Sequence, residues 1–119
     1  MYQVTVDQEK RLIRMTVDGF TNPDQAAAFD AQLRTAVQKL KASGPSFDIL
    51  ADLRHGMILP QARSELIRNE MLWMAQQGLR KAAHIMASTL YKLQLKRVAP
   101  DNRFNYFTTE KEALDWLNE

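Results

Sequence analysis

The sequence predicts an α/β domain built on a mostly parallel sheet of about five strands, with an N-terminal hairpin and the order β-β-α-β-α-β-α-β-α. Three observations predict it. The chain begins with two stretches of period-2 alternation. Three later apolar stretches are separated by segments with helical spacing. Those helical segments carry capping or stop signals at their ends.

In the first stretch Tyr2, Val4 and Val6 share one face and Gln3, Thr5 and Asp7 the other, and Ile13, Met15 and Val17 repeat the pattern. The run from Asp7 to Arg11 is short and polar, which favours a hairpin, and Asp18-Gly19 closes the second strand. Asn22-Pro23-Asp24-Gln25 then places an N-cap before a proline at the first helical position and an acid in the first turn. Ala26, Phe29, Leu33, Ala36, Val37 and Leu40 fall within about 100° of arc, the face of a helix that Ser43-Gly44-Pro45 ends.

From Phe47 to Leu53 the apolar residues Ile49, Leu50 and Ala51 are consecutive, as in a central strand covered on both faces. A loop from Arg54 to Leu59 leads to Pro60 and a second helix ending near Gln77, with Gly78 as a left-handed C-cap. Lys81 to Ser88 reads as a further buried strand. Thr89 to Val98 reads as a short helix capped by Ser88 and stopped before Pro100, and Phe104 to Phe107 as a short strand. Thr109 and Glu112 form a capping box for a last helix carrying Ala113, Leu114, Trp116 and Leu117. No internal repeat, low-complexity tract or linker interrupts the pattern, so residues 1–119 read as one domain.

Composition narrows the chemistry. The 119 residues are 45% hydrophobic and 25% charged, as in one ordinary water-soluble domain. The absence of cysteine excludes thiol catalysis, zinc–thiolate sites and disulfide switching. Sixteen Lys and Arg against fourteen Asp and Glu leave only +2, which does not describe a nucleic-acid binder. The longest apolar run, Met71 to Ala75, is far short of the roughly 20 residues a bilayer requires. Met1 to Lys10 lacks a signal peptide's apolar core, so the expected compartment is the cytosol.

Four stretches resemble the SpoIIAA-like branch of the STAS families, the group named for sulfate transporters and anti-sigma factor antagonists. They are Leu12-Ile13-Arg14-Met15-Thr16-Val17-Asp18-Gly19-Phe20 with Asp24 after it; Phe47-Asp48-Ile49-Leu50-Ala51-Asp52-Leu53; Ala82-Ala83-His84-Ile85-Met86; and Phe107-Thr108-Thr109-Glu110-Lys111-Glu112-Ala113-Leu114-Asp115-Trp116-Leu117. The resemblance implies a SpoIIAA-like fold and a small, non-enzymatic regulatory module that works by docking to a protein partner or a ligand. One departure bears on mechanism. Anti-sigma factor antagonists resemble this chain up to the third strand and then present Asp-Ser, the serine being phosphorylated; here Asp52 is followed by Leu53-Arg54-His55-Gly56-Met57. The nearest downstream serine, Ser64, falls inside the second helix, where a phosphate meets satisfied donors, so the phosphoswitch is expected to be absent.

Asp52, His55 and Ser88 are an acid, an imidazole and a hydroxyl that strand ends could bring to one sheet edge, the basis of a remote hydrolase alternative. Without a Gly-x-Ser-x-Gly elbow, loop bonding for Asp52, exposure for His55 and helix capping for Ser88 are the simpler roles. His84, inside an apolar strand, reads as a core histidine, and neither a metal nor a cofactor is expected. The basic residues Arg80, Lys81, Lys92, Lys96, Arg97 and Arg103 read as a solvated face, with an anionic partner as the alternative.

On the second helix Leu59, Ala62, Leu66 and Trp73 form one line, and Ile67, Met71 and Met74 form another about 120° away. One line suffices for a sheet, so the methionine line is either a contact surface or packs on the third helix through Leu90, Leu93 or Leu95. The expected binding set is therefore Arg54, His55, Met57, Ile67, Met71, Met74 and Ser88, facing a protein partner, a second copy of the chain or a small apolar ligand. A carrier or sensor of such a ligand is the rival to the regulatory module.

Overall fold

The two alternating segments pair as an antiparallel hairpin, β1 (Tyr2–Asp7) with β2 (Leu12–Val17), and Val4 lies opposite Met15. The computed structural model describes residues 1–20, 22–56 and 61–119. Beyond the hairpin come α1 (Pro23–Ser43), β3 (Phe47–Asp52), α2 (Gln61–Gln76), β4 (Leu79–Ile85), α3 (Thr89–Val98), β5 (Phe104–Phe107) and α4 (Glu110–Leu117). The strands lie in chain order, β1-β2-β3-β4-β5, and β2 to β5 are parallel.

Each crossover advances one strand in the same direction, which puts the three connecting helices on one face. Their buried residues, including Phe29, Leu33, Val37, Met71, Met74 and Leu95, share one core with Ile13, Ile49, Ala51 and Ala82 of the sheet. On the opposite face α4 buries Ala113 and Leu117 against Leu12, Leu50, Ala83 and Ile85. The consecutive apolar residues of β3 and β4 thus serve both layers. The helix starts follow the capping chemistry: Asn22 accepts from the Gln25 N–H at 3.0 Å, Ser88 from Tyr91 at 3.1 Å and Thr109 from Glu112 at 3.2 Å.

Two boundaries differ from expectation. β4 starts at Leu79, directly after Gly78, and ends at Ile85, so Met86 to Ser88 form the turn into α3 rather than the end of the strand. Gly78 makes the abrupt reversal possible, with φ of +102° and no room for a side chain: a Cβ there would lie 2.5 Å from the Pro45 carbonyl oxygen.

The helix C-termini are closed by basic side chains from other elements. Arg11 donates from Nη2 to the Leu40 carbonyl at 2.6 Å and from Nε to that of Ser46 at 2.6 Å, sealing α1. Arg103 reaches the Ala75 and Leu79 carbonyls at 3.1 and 3.2 Å, Arg68 that of Val98 at 3.1 Å, and Arg80 that of Leu117 at 2.6 Å. Lys81 adds a bond to the Trp116 carbonyl at 2.7 Å. Leu40, Ala75, Val98, Trp116 and Leu117 lie in the last turns of their helices, where backbone donors run out, and a cation at this end also complements the helix dipole. Arg80, Lys81 and Arg103 of the basic stretch are thereby tied to backbone.

Candidate functional site

α4 has only 8 residues and packs against β3, β4 and β5, leaving the β1–β2 half of its face bare. The alternation of the hairpin puts Gln3, Thr5, Arg14 and Thr16 on that half. With Asp52 from the end of β3 and Glu110 from the start of α4 they line a polar concavity of about 240 Å³.

Two ion pairs border this basin. Arg14 Nη1 lies 3.2 Å from Glu110 Oε1, both side chains being about half exposed. Asp52 accepts from Arg54 three times: from Nε to Oδ1 at 3.0 Å, from Nη2 to Oδ2 at 2.6 Å, and from the backbone N–H to Oδ1 at 3.2 Å. Hydrogen bonding from Arg54 holds the Asp52 carboxyl below its ordinary value, and Asp52 in turn raises the guanidinium's. The turn is fixed further by Leu53, whose N–H donates to Ile85 at 2.9 Å, and by Gly56, whose backbone rests on the ring of Tyr91.

The expected binding residues are distributed unevenly around this basin. Arg54 borders it through its bonds to Asp52, and His55 follows as an exposed residue of the same turn. Met57, Leu59 and Pro60 lie outside the described residues. Ser88 Oγ is engaged as the cap of α3, and Asp52 is bound by Arg54, so the acid–imidazole–hydroxyl trio is not assembled by hydrogen bonds.

The methionine line is corrected. Met71 and Met74 are each only 4% exposed and belong to the principal core, with Ile67 packed against them, so this line faces the sheet. Leu66, from the line expected to cover the sheet, is 54% exposed, while Trp73 turns towards α1, where Arg34 lies 4.4 Å over its ring. α2 is flanked by α1 as well as seated on the sheet, so Trp73 finds cover at α1 while Leu66 of the same line stays in solvent. Of the three leucines proposed to cover the methionines, only Leu95 is buried; Leu90 and Leu93 are 52% and 51% exposed.

His84 is a core residue. Its ring stacks on Tyr106 with centroids 5.1 Å apart, and Nδ1 lies 3.3 Å from the Asn105 carbonyl oxygen. Burial drives its pKa down to about 4, leaving a neutral ring at physiological pH. Among the described residues, no three His, Asp or Glu side chains are grouped to hold a metal ion. Among the described residues, no helix is long and apolar enough to cross a membrane.

Arg14, Asp52 and Glu110 were not foreseen as one site. A signal was present: Gln3, Thr5, Arg14 and Thr16 form a wholly polar face on two adjacent strands, and the last helix is too short to cover five. Comparison with protein-family models, curated protein sequences and solved structures finds no match for this chain.

Proposed function

We propose that the chain is a non-enzymatic, STAS-like docking module whose polar basin receives a protein partner. The observation that carries this reading is the half-bare sheet face, bordered by the exposed pair Arg14–Glu110 and by Asp52–Arg54, whose arginine is exposed and whose carboxylate is half-buried. An exposed ion pair contributes little to stability, typically about 0–1 kcal/mol, so Arg14–Glu110 is readily exchanged for a partner's opposite charge. A rigid floor of paired strands with charges of both signs at its rim suits a polar protein surface of mixed charge. Two further observations support a role without chemistry: Ser88 is occupied as a helix cap, and the Asp52 carboxylate is neutralised by a forked guanidinium. Ser64 lies within α2, which supports recognition without a phosphoswitch in the loop after β3.

The test uses the full chain immobilised and exposed to lysate of its native host, alongside Arg14→Glu/Arg54→Glu. The expected result is a stoichiometric protein retained by the natural chain and lost by the variant, with matching unfolding curves. Equal retention by both, or native mass spectra showing only a small-molecule adduct, overturns the reading.

A further inference from the structure

β1 is an edge strand, and among the described residues nothing pairs with its outer side. Hydrogen-bonded and non-bonded residue pairs alternate along an antiparallel ladder. Asp18 donates its N–H to the Met1 carbonyl at 2.9 Å, and the register pairs Tyr2 with Val17, so Gln3, Thr5 and Asp7 turn their backbone polar groups to β2. Tyr2, Val4 and Val6 therefore aim theirs outward. The β2–β3 boundary agrees: the Arg11 carbonyl, on the other parity of the hairpin, accepts from Asp48 on the inner side at 2.9 Å.

Among the described residues this edge carries little of the usual protection. The β1–β2 register runs without a bulge, and from Tyr2 to Val6 the strand holds neither proline nor charge. Beside it an open groove of about 380 Å³ separates β1 from α1, lined by Val4, Val6, Ala31, Thr35, Ala36 and Lys39.

We propose that this edge and groove dock a second copy of the chain, β1 pairing antiparallel with its counterpart about a two-fold axis at Val4. In that register Val4 faces Val4, Tyr2 faces the other copy's Val6, and every outward N–H and C=O of the three residues finds a partner. The side-chain pairs are aromatic with β-branched and valine with valine, with Gln3 opposite Thr5, and no like charges meet.

Charge selects the same occupant. α1 runs in the direction of β1, since Tyr2 packs on Phe29 with ring centroids 5.7 Å apart while Gln8, beyond the other end, bonds Ser43 at 3.1 Å. At about 3.3 Å per strand residue and 1.5 Å per helix residue, Val4 lies level with Leu33. The two-fold then sets the α1 helices antiparallel, and the exposed Lys39 of each copy comes within a helical turn of the level of the other's exposed Asp24. A parallel pairing would put the two α1 helices on opposite faces of the sheet, where Lys39 and Asp24 could not meet.

Sedimentation velocity of the full chain over a range of concentrations tests the proposal. The expected result is a dimer that dissociates on dilution and is abolished by Val4→Lys. Asp24→Lys or Lys39→Asp alone should weaken it about five-fold or more, and the double reversal should restore it. Asp24 and Lys39 are exposed helix positions, so these variants keep the test valid even if the strand variant fails to fold. A monomer at every concentration, a dimer indifferent to Val4→Lys, or a double reversal no better than the singles overturns the proposal. So does a small molecule carried in the groove by native mass spectrometry.

Discussion

Glu70 of α2 meets Asp30 of α1 across the seam between the helices, and Oε1 of the first and Oδ1 of the second are buried without a hydrogen-bond donor. Two carboxylates have acceptors only, so a single proton is what can join them. Burial, with Asp30 beside it, pushes the Glu70 carboxyl up to about 8, against the opposing pull of Arg34 and Arg63. Those two guanidiniums are themselves held over aromatic rings, Arg34 over Trp73 at 4.4 Å and Arg63 over Phe20 at 5.2 Å.

The seam makes stability depend on pH. Between the unfolded value near 4.5 and the folded value of about 8 the native state holds a proton that the unfolded chain has released, so stability falls as pH rises through that window and levels off above it. Denaturant unfolding at pH 6 and pH 8.5 should show the natural chain losing on the order of 2 kcal/mol at the higher pH. Glu70→Gln, which keeps a donor for Asp30, should lose much less. An identical loss in the variant would place the titration elsewhere.

Arg11 combines a cap with a left-handed backbone, φ being +53°. Arg11→Ala should cost about 2–3 kcal/mol, because the Leu40 and Ser46 carbonyls lose a charged donor and the φ stays strained. Arg11→Gly removes the same donors but relaxes the backbone and should be less destabilised by about 1 kcal/mol. Urea midpoints for the two variants separate these contributions.

Gly78 and Gly19 both have positive φ, +102° and +138°, yet only at Gly78 would a Cβ meet another atom, the Pro45 carbonyl oxygen. Gly78→Ala should therefore cost more than about 2 kcal/mol, and Gly19→Ala about 1 kcal/mol from backbone strain alone. Equal losses by thermal unfolding would mean that the α2–β4 reversal yields to the added methyl group.

Met71→Glu with Met74→Glu should cost more than about 4 kcal/mol, since both charges enter the principal core. Leu66→Glu and Leu90→Glu, at exposed positions, should stay within about 0.5 kcal/mol. Denaturant unfolding of all three proteins checks the orientation of α2.

The order of elements was legible because alternation, helical spacing and caps agree along the chain, as Asn22, Ser88 and Thr109 illustrate. The orientation of α2 was not. Its two apolar lines are equivalent in projection, and what assigns Met71 to the sheet and Trp73 to α1 is the position of a neighbouring helix, a tertiary fact. The basin was half legible. Arg54 stands in the expected turn, but Arg14 and Glu110 are 96 residues apart and meet only because β2 and α4 share a face. The Glu70–Asp30 pair left no periodic trace, since each reads as an ordinary polar position of an amphipathic helix.

The basic C-terminal caps bear on the order in which the chain can set as it leaves the ribosome. Arg11 precedes α1, Arg68 precedes α3 and Arg80 precedes α4, so each of those helices emerges after its capping side chain. α2 alone among the four draws its cap from downstream, from Arg103. Its Ala75 carbonyl therefore gains a charged donor only when the chain has been made as far as the start of β5, whereas the other three helices can be capped as soon as they are complete.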